Sequence, residues 1–212
     1  MIFGSISYLN LLPFQLFLKK ELSTAMNMSL HYKRAVPSTI NKALKRREVD
    51  AGFISSIASP RYRCTNLGII ADEYVYSVLL LKGEYQKDPA SASSNQLAKV
   101  LNLKGRVLIG DEALKYYLKG GEALDLANEW YKKRRLPFVF ARLCYNKHGK
   151  NIERLAKAFE NKKIKIPQYI LKREAKKRAI TPNELKWYLE HIHYKMNHKS
   201  KKSLKIFLKL SR

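Results

Sequence analysis

The chain has 212 residues, enough for one large domain or two modest ones, and 46% of it is apolar, so composition allows a buried core. Its formal net charge of +25 gives a positive potential that draws anions, whether nucleic acid, acidic lipid or small polycarboxylates. No apolar run approaches the roughly 20 residues of a membrane helix, and no basic-then-apolar leader opens the chain. The expectation is a soluble, cytoplasmic protein. Cys64 and Cys144 are the only cysteines; they make neither a metal-ligand spacing nor a disulfide framework and are read as reduced.

The first stretch, Ile6-Ser7-Tyr8-Leu9-Asn10-Leu11-Leu12-Pro13-Phe14, runs from a strand into an apolar helix, with Pro13 in the first turn where it is tolerated. Ser7, Tyr8 and Asn10 stand where the strand runs out, the place where open α/β sheets bind small anions. Residues 23–29 read as a polar turn, and Leu30–Val36 alternates as a second strand. A helix opening at Pro37 keeps Ile40, Ala43 and Leu44 at helical spacing. Val49–Ile54 is a short apolar strand whose end delivers Ser55 and Ser56. Right-handed crossovers would put such strand ends on one edge of the sheet. The same hydroxyls serve equally well as helix caps.

Leu67–Ala71 and Val75–Leu81 read as strands, and Gly83–Asn95 as a polar crossing that ends in Ser91-Ala92-Ser93-Ser94-Asn95 before an apolar helical face. This third hydroxyl cluster sits at a helix start, whose unpaired N–H groups suit a carboxylate. Arg106–Asp111 is a buried-type strand ending in Gly-Asp, with Asp111 either a cap or a site residue. A helix over Asp125–Tyr131 and a strand over Leu136–Ala141 follow. The remainder reads as helical: Ile152, Leu155, Ala156 and Phe159 share one face, as do Leu185, Tyr188, Leu189, Ile192 and Met196, and Thr181-Pro182-Asn183-Glu184 is a capping box. On such a helix His191 and His193, two apart, do not face together and make no metal site. The pattern predicts two α/β lobes, residues 1–82 plus 145–212 and an inserted 83–144, with a cleft between them.

The blocks ISYLNLLPF, FISSIAS, YSVLLL, SASSNQLAKVL, LIGDEAL and LANEWYKKRRLPFVFA, in that order over about residues 1–145, resemble the chorismate dehydratase family of menaquinone biosynthesis by the futalosine route, particularly its short, basic epsilonproteobacterial members. The resemblance implies an α/β, two-lobed fold of the periplasmic-binding-protein type II kind, used as an enzyme. It also implies the reaction, in which chorismate loses water to give 3-[(1-carboxyvinyl)oxy]benzoate. By motif position, Asn10 matches the family asparagine near the substrate and is the catalytic candidate. Ser55 and Ser56 match the family's Ile-Ser-Ser pair. Ser91, Ser93 and Ser94 match a block usually written Ser-Arg-Thr-Ser, in which Ala92 here replaces the arginine and Ser93 the threonine. With Ser7, Tyr8, Asn95 and Asp111 these form the expected substrate-binding set.

Chorismate is a dicarboxylate whose dehydration aromatises its ring, so the enzyme must grip both carboxylates and stabilise charge spreading onto the ring carboxylate. The motifs supply no His/Asp pair, no metal set and no nucleophile beside a base. The expectation is substrate-assisted proton transfer, with no cofactor and no metal. Three rivals are weighed, one of them a non-catalytic solute-binding protein, which the missing secretory signal argues against. The sister enzyme making 1,4-dihydroxy-6-naphthoate shares the fold, but the SYLN and LPFVFA blocks favour the dehydratase. A basic nucleic-acid-binding protein is suggested by 20 Lys or Arg against 5 Asp or Glu from Lys147 onward. That stretch has no zinc motif, RNA-recognition sheet motif or helix-turn-helix, so no nucleic-acid partner is expected. Oligomeric state is left open.

Overall fold

The computed structural model describes residues 1–21 and 31–212; the polar turn expected at 23–29 lies outside the described residues. Two sheets organise the molecule. The larger has six strands in the order β2 (His31–Arg34), β1 (Ile2–Ser5), β3 (Ala51–Ser55), β8 (Phe138–Tyr145), β4 (Arg63–Ala71) and β9 (His193–Lys195). The smaller has three, β6 (Arg106–Ile109), β5 (Val78–Leu81) and β7 (Leu124–Asp125). The helices are α1 (Leu12–Glu21), α2 (Pro37–Lys45), α3 (Ala92–Val100), α4 (Gly110–Leu118), α5 (Leu126–Arg134), α6 (Gly149–Glu160), α7 (Gln168–Lys176), α8 (Pro182–Glu190) and α9 (His198–Leu210). This is a two-lobed, mixed α/β fold.

Strands β1 and β3 pair in parallel, so the chain leaves both at the same sheet edge, carrying Ser7–Asn10 and Ser55–Ser56 there together. Strand β8 runs antiparallel to β3, with Ser55 opposite Ala141, which brings the start of β8 to that edge too. Under the edge sits an aromatic core: Phe14 of α1 meets Phe53 of β3 at 5.2 Å and Phe159 of α6 at 5.1 Å, both edge-to-face. Phe159 in turn meets Tyr194 of β9 at 5.2 Å. Such ring pairs add about 0.5–1.5 kcal/mol each beyond burial, and here they fix the root of the helix that follows the Ser7–Asn10 loop.

Three local expectations are corrected. Cys64 and Cys144 are not free thiols. They stand opposite each other in the β4–β8 register and are joined in a disulfide, a pairing hidden in the sequence by a separation of 80 residues. The helix expected to carry Leu185 through Met196 ends at Glu190, and His193–Lys195 is strand β9, hydrogen-bonded to the edge of β4. His191 and His193 therefore do not share a helix. The strand expected from Val75 begins only at Val78, because the Val75 and Tyr76 N–H groups both donate to the Asp125 carboxylate instead of to a ladder. The chain passes into the small sheet before β5, so β5 belongs with β6 and β7, and it has returned to the large sheet by Phe138.

The C-terminal helices cross from one lobe to the other. Trp130 of α5, fully buried, donates its indole N–H to Ser203 of α9 at 2.9 Å and packs on Phe207. The Tyr188 hydroxyl of α8 shares a 2.8 Å hydrogen bond with Ser77 at the crossing into β5. Thr181 and Glu184 form the expected capping box at the start of α8. The basic segment thus has an inner face that is part of the core, and most of its charge lies on the outer face, with Glu174 and Arg178 turned inward.

Candidate active site

A cavity of about 60 Å³ lies where the edge of the large sheet faces the small lobe. Its polar lining comes from four chain segments: Tyr8 and Asn10 after β1, Ser55 at the end of β3, Ser77 before β5, and Ser91 with Ser94 at the start of α3. Ile6, Phe53 and Phe140 are among its apolar walls. A wider groove of about 850 Å³ runs beside β9, lined by Phe159, Ile164, Leu189 and several lysines, but none of the hydroxyl clusters reaches it. The small cavity is therefore the candidate site.

The serines are held from behind. Asn41 of α2 grips Ser55 twice: its amide N–H donates to the Ser55 hydroxyl and its oxygen accepts the Ser55 N–H, both at 2.9 Å. Ser91 caps α3, accepting the Ser94 N–H at 3.2 Å while donating to the Ser94 hydroxyl at 2.7 Å. Asn10 differs from these. Its carbonyl is fixed by the Tyr194 hydroxyl at 2.7 Å, yet among the described residues its side-chain amide has no protein partner and is left to face the cavity.

Four short helical elements begin around this space: the turn at Leu9–Leu11, the turn at Ser56–Arg61, α3 and α4. Helix starts present unpaired N–H groups and a positive dipole end to an anion. At α4 the approach is close: Gly110 has φ +70°, and a Cβ there would lie 2.8 Å from the Tyr8 ring. Glycine is thus required twice over, for the backbone conformation and for the room. Burial, followed by the charges of Asp88 and Asp111, pushes the Tyr8 hydroxyl up to about 12, so it remains a neutral phenol at physiological pH. Among the described residues the cavity lining holds no His, Asp, Glu, Cys, Lys or Arg.

The matching family model is that of menaquinone biosynthesis, over residues 1–104 and 84–212. The chain belongs to the menaquinone-biosynthesis family. Within reach of that family, the chain is 46% identical over 215 residues to the chorismate dehydratase of Campylobacter jejuni subsp. jejuni serotype O:23/36 (strain 81-176), covering 99% of this chain and 96% of the relative. It is 25% identical over 260 residues to the chorismate dehydratase of Thermus thermophilus, covering 97% and 93%. In fold it is similar to protein AF1704 from Archaeoglobus fulgidus, with a TM-score of 0.74 at 16% identity, covering 99% of this chain and 96% of that one. It is also similar to the periplasmic aliphatic sulphonate binding protein SsuA from Escherichia coli, with a TM-score of 0.56 at 15% identity, covering 99% and 85%. The fold of this chain is thus the periplasmic-binding-protein-like one that the resemblance implied.

The sequence-predicted set divides against this geometry. Tyr8, Asn10, Ser55, Ser91 and Ser94 come together on the cavity wall. Ser56 and Ser93 do not line it; their hydroxyls meet each other at 3.0 Å, and the Ile57 N–H donates to Ser93 at 3.3 Å, stitching one lobe to the other. Ser7 opens onto a neighbouring cavity of about 200 Å³. Both ends of the Asn95 amide are occupied by the Asp88 backbone in a turn. Asp111 is neither an N-cap nor in the cavity: one oxygen accepts the Leu9 N–H at 3.0 Å and the other pairs with Arg178. Ala92 is exposed on the outer side of α3.

Residues the sequence reading did not place at the site are Asn41, Ser77 and Gly110, which hold or line the wall, and Arg178. Asn41 and Ser77 sit in ordinary helical and strand patterns and carry no local signal. Arg178 lies in a run of lysines and arginines. The one hint there is Glu174, a buried acid among bases. Burial alone would raise its carboxyl, but hydrogen bonds from Lys177, Arg178 and Arg173 outweigh it and hold Glu174 below the usual carboxylate range.

Proposed function

We propose that this protein is a chorismate dehydratase, a carbon–oxygen lyase that eliminates water from chorismate to give 3-[(1-carboxyvinyl)oxy]benzoate in menaquinone biosynthesis. The observation that carries the reading is the near full-length, 46% identical chorismate dehydratase of Campylobacter jejuni. The cavity is suited to the reaction. A dicarboxylate is met by hydroxyls and helix starts, whose N–H groups stabilise carboxylate charge without a cation.

In the elimination the proton on the ether-bearing ring carbon leaves, its electron pair enters the ring, and hydroxide departs from the adjacent carbon to give water and an aromatic ring. A base is needed, and the lining offers none: Tyr8, held near 12 and protonated, is a poor proton acceptor at neutral pH. The reading therefore assigns proton removal to the substrate's own enolpyruvyl carboxylate. Asn10, with its amide uncommitted, orients that carboxylate against the ring. Tyr8, Ser55, Ser91 and Ser94 hold the substrate, and no cofactor takes part. Among the described residues no helix is long and apolar enough to cross a membrane.

The test is to incubate the purified protein with chorismate and follow products by chromatography and mass. The reading predicts a product lighter by one water with aromatic absorbance, formed without added metal or nucleotide. Chorismate returned unchanged, with turnover appearing instead in an assay for 1,4-dihydroxy-6-naphthoate formation, would replace it with the sister activity.

A further inference from the structure

We propose that Arg178 is a positioning residue for the reaction, its guanidinium setting the place of Tyr8 and Asn10 by gripping the loop that carries them and the start of α4 at once. The proposal rests on the functional reading above for its kinetic arm. Its structural arm stands alone.

The loop Ser7–Asn10 meets the small lobe through the Tyr8 ring, which lies against Gly110. Its backbone is fixed by three groups from distant parts of the chain: Arg178 Nη2 donates to the Ser7 carbonyl at 2.9 Å, the Leu9 N–H donates to Asp111, and the Tyr194 hydroxyl donates to the Asn10 carbonyl. Two of these three run through Arg178, because Arg178 Nε also donates to the second Asp111 oxygen at 2.5 Å. The remaining Nη1 donates to Glu174 at 2.8 Å, which fixes the plane of the guanidinium. One planar fork thus joins α7, the loop after β1 and the first turn of α4. A lysine has one nitrogen and no plane, and cannot reproduce that set.

The root of Arg178 is equally determined. The chain leaves α7 through Ala179 in the left-handed region, with the Ile180 N–H bonded to the Ala175 carbonyl, so the arginine emerges at a fixed angle. The pair is largely shielded, with side-chain exposures of 16% for Arg178 and 23% for Asp111, so water screens it weakly. The consequence reaches the cavity because Tyr8 lies between the two gripped points. Its ring rests on Gly110, the residue before Asp111. A shift of the loop relative to α4 would move Tyr8 and Asn10 together, and a displacement near 1 Å is enough to cost a large factor in rate.

The experiment compares Arg178→Lys and Asp111→Asn with Lys172→Ala, an exposed substitution on α7, reading kcat and KM on chorismate and amide hydrogen exchange at Leu9. Both site variants are expected to lower kcat about tenfold while KM changes less than about threefold. The double variant should be no worse than the poorer single, since one contact is lost either way. Leu9 exchange should quicken in both, and Lys172→Ala should match the wild type throughout. Unchanged kcat, a loss confined to KM, or Leu9 exchange as slow as in the wild type would each overturn the proposal. So would global unfolding of Arg178→Lys, which would make the arginine a general structural support. If the wild-type protein does not turn over chorismate, the functional reading falls, and Leu9 exchange still decides the role of Arg178.

Discussion

Asn10 presents an uncommitted side-chain amide to the cavity. Ser55, Ser91 and Ser94 are tied into the protein by named hydrogen bonds, whereas the Asn10 amide meets none among the described residues, although its carbonyl is firmly held. A polar group kept at a cavity wall without a partner has its hydrogen bonds available for a ligand. Asn10→Ala is therefore expected to lower kcat by about 100-fold or more and leave thermal stability near that of the wild type. Steady-state kinetics beside a melting curve would check both, and near-full turnover would remove Asn10 from the mechanism. Asn10, Ser55 and Ser91 were legible in the sequence because each stands where a strand or loop hands over to a helix. Asn41 was not, since its partner Ser55 is 14 residues away and no local pattern joins them. Ser56 and Ser93 pair with each other away from the cavity wall, and a pair of adjacent serines shows that a hydroxyl is present but not which one turns toward the cavity.

At the scale of elements, the start of α4 tests how closely the lobes meet. Gly110→Ala would place a methyl carbon against the Tyr8 ring and force a side chain into φ +70°. The expected result is a fall in kcat/KM of about tenfold or more together with a lower melting temperature. Activity and stability both within error of the wild type would show that Tyr8 need not lie where it does. The sequence marked most elements by their periods and caps: Pro37 opens α2, Asp125 caps α5 and the capping box opens α8. It failed at β9 for an identifiable reason. Ile192 and Met196, both buried, are four apart, which fits one helical face and also the alternation of a strand in which Tyr194 is the intervening inward residue. Only the open edge of β4 decides between them, and that edge is distant in sequence. The disulfide was illegible in the same way, because it depends on the β4–β8 register.

Across the whole molecule, the large positive charge has two roles that composition could not separate. Much of it lies on outer helix faces, where it raises the local concentration of anions. A smaller part is internal architecture: Arg178 joins the lobes, and Lys133 donates to the Leu101 carbonyl at 2.7 Å. Among the described residues the cavity lining contains none of the cations, and Ala92 supplies none. The central claim follows from that arrangement. On the proposed reading, a neutral, hydroxyl-lined cleft would bind a dicarboxylate and let the substrate remove its own proton. The most direct measurement is the pH dependence of kcat on chorismate. With a substrate carboxylate as base and Tyr8 held near 12, kcat should be level from about pH 6 to about pH 9. A bell-shaped profile with a limb near neutrality, reporting an essential protein acid or base, would contradict the account.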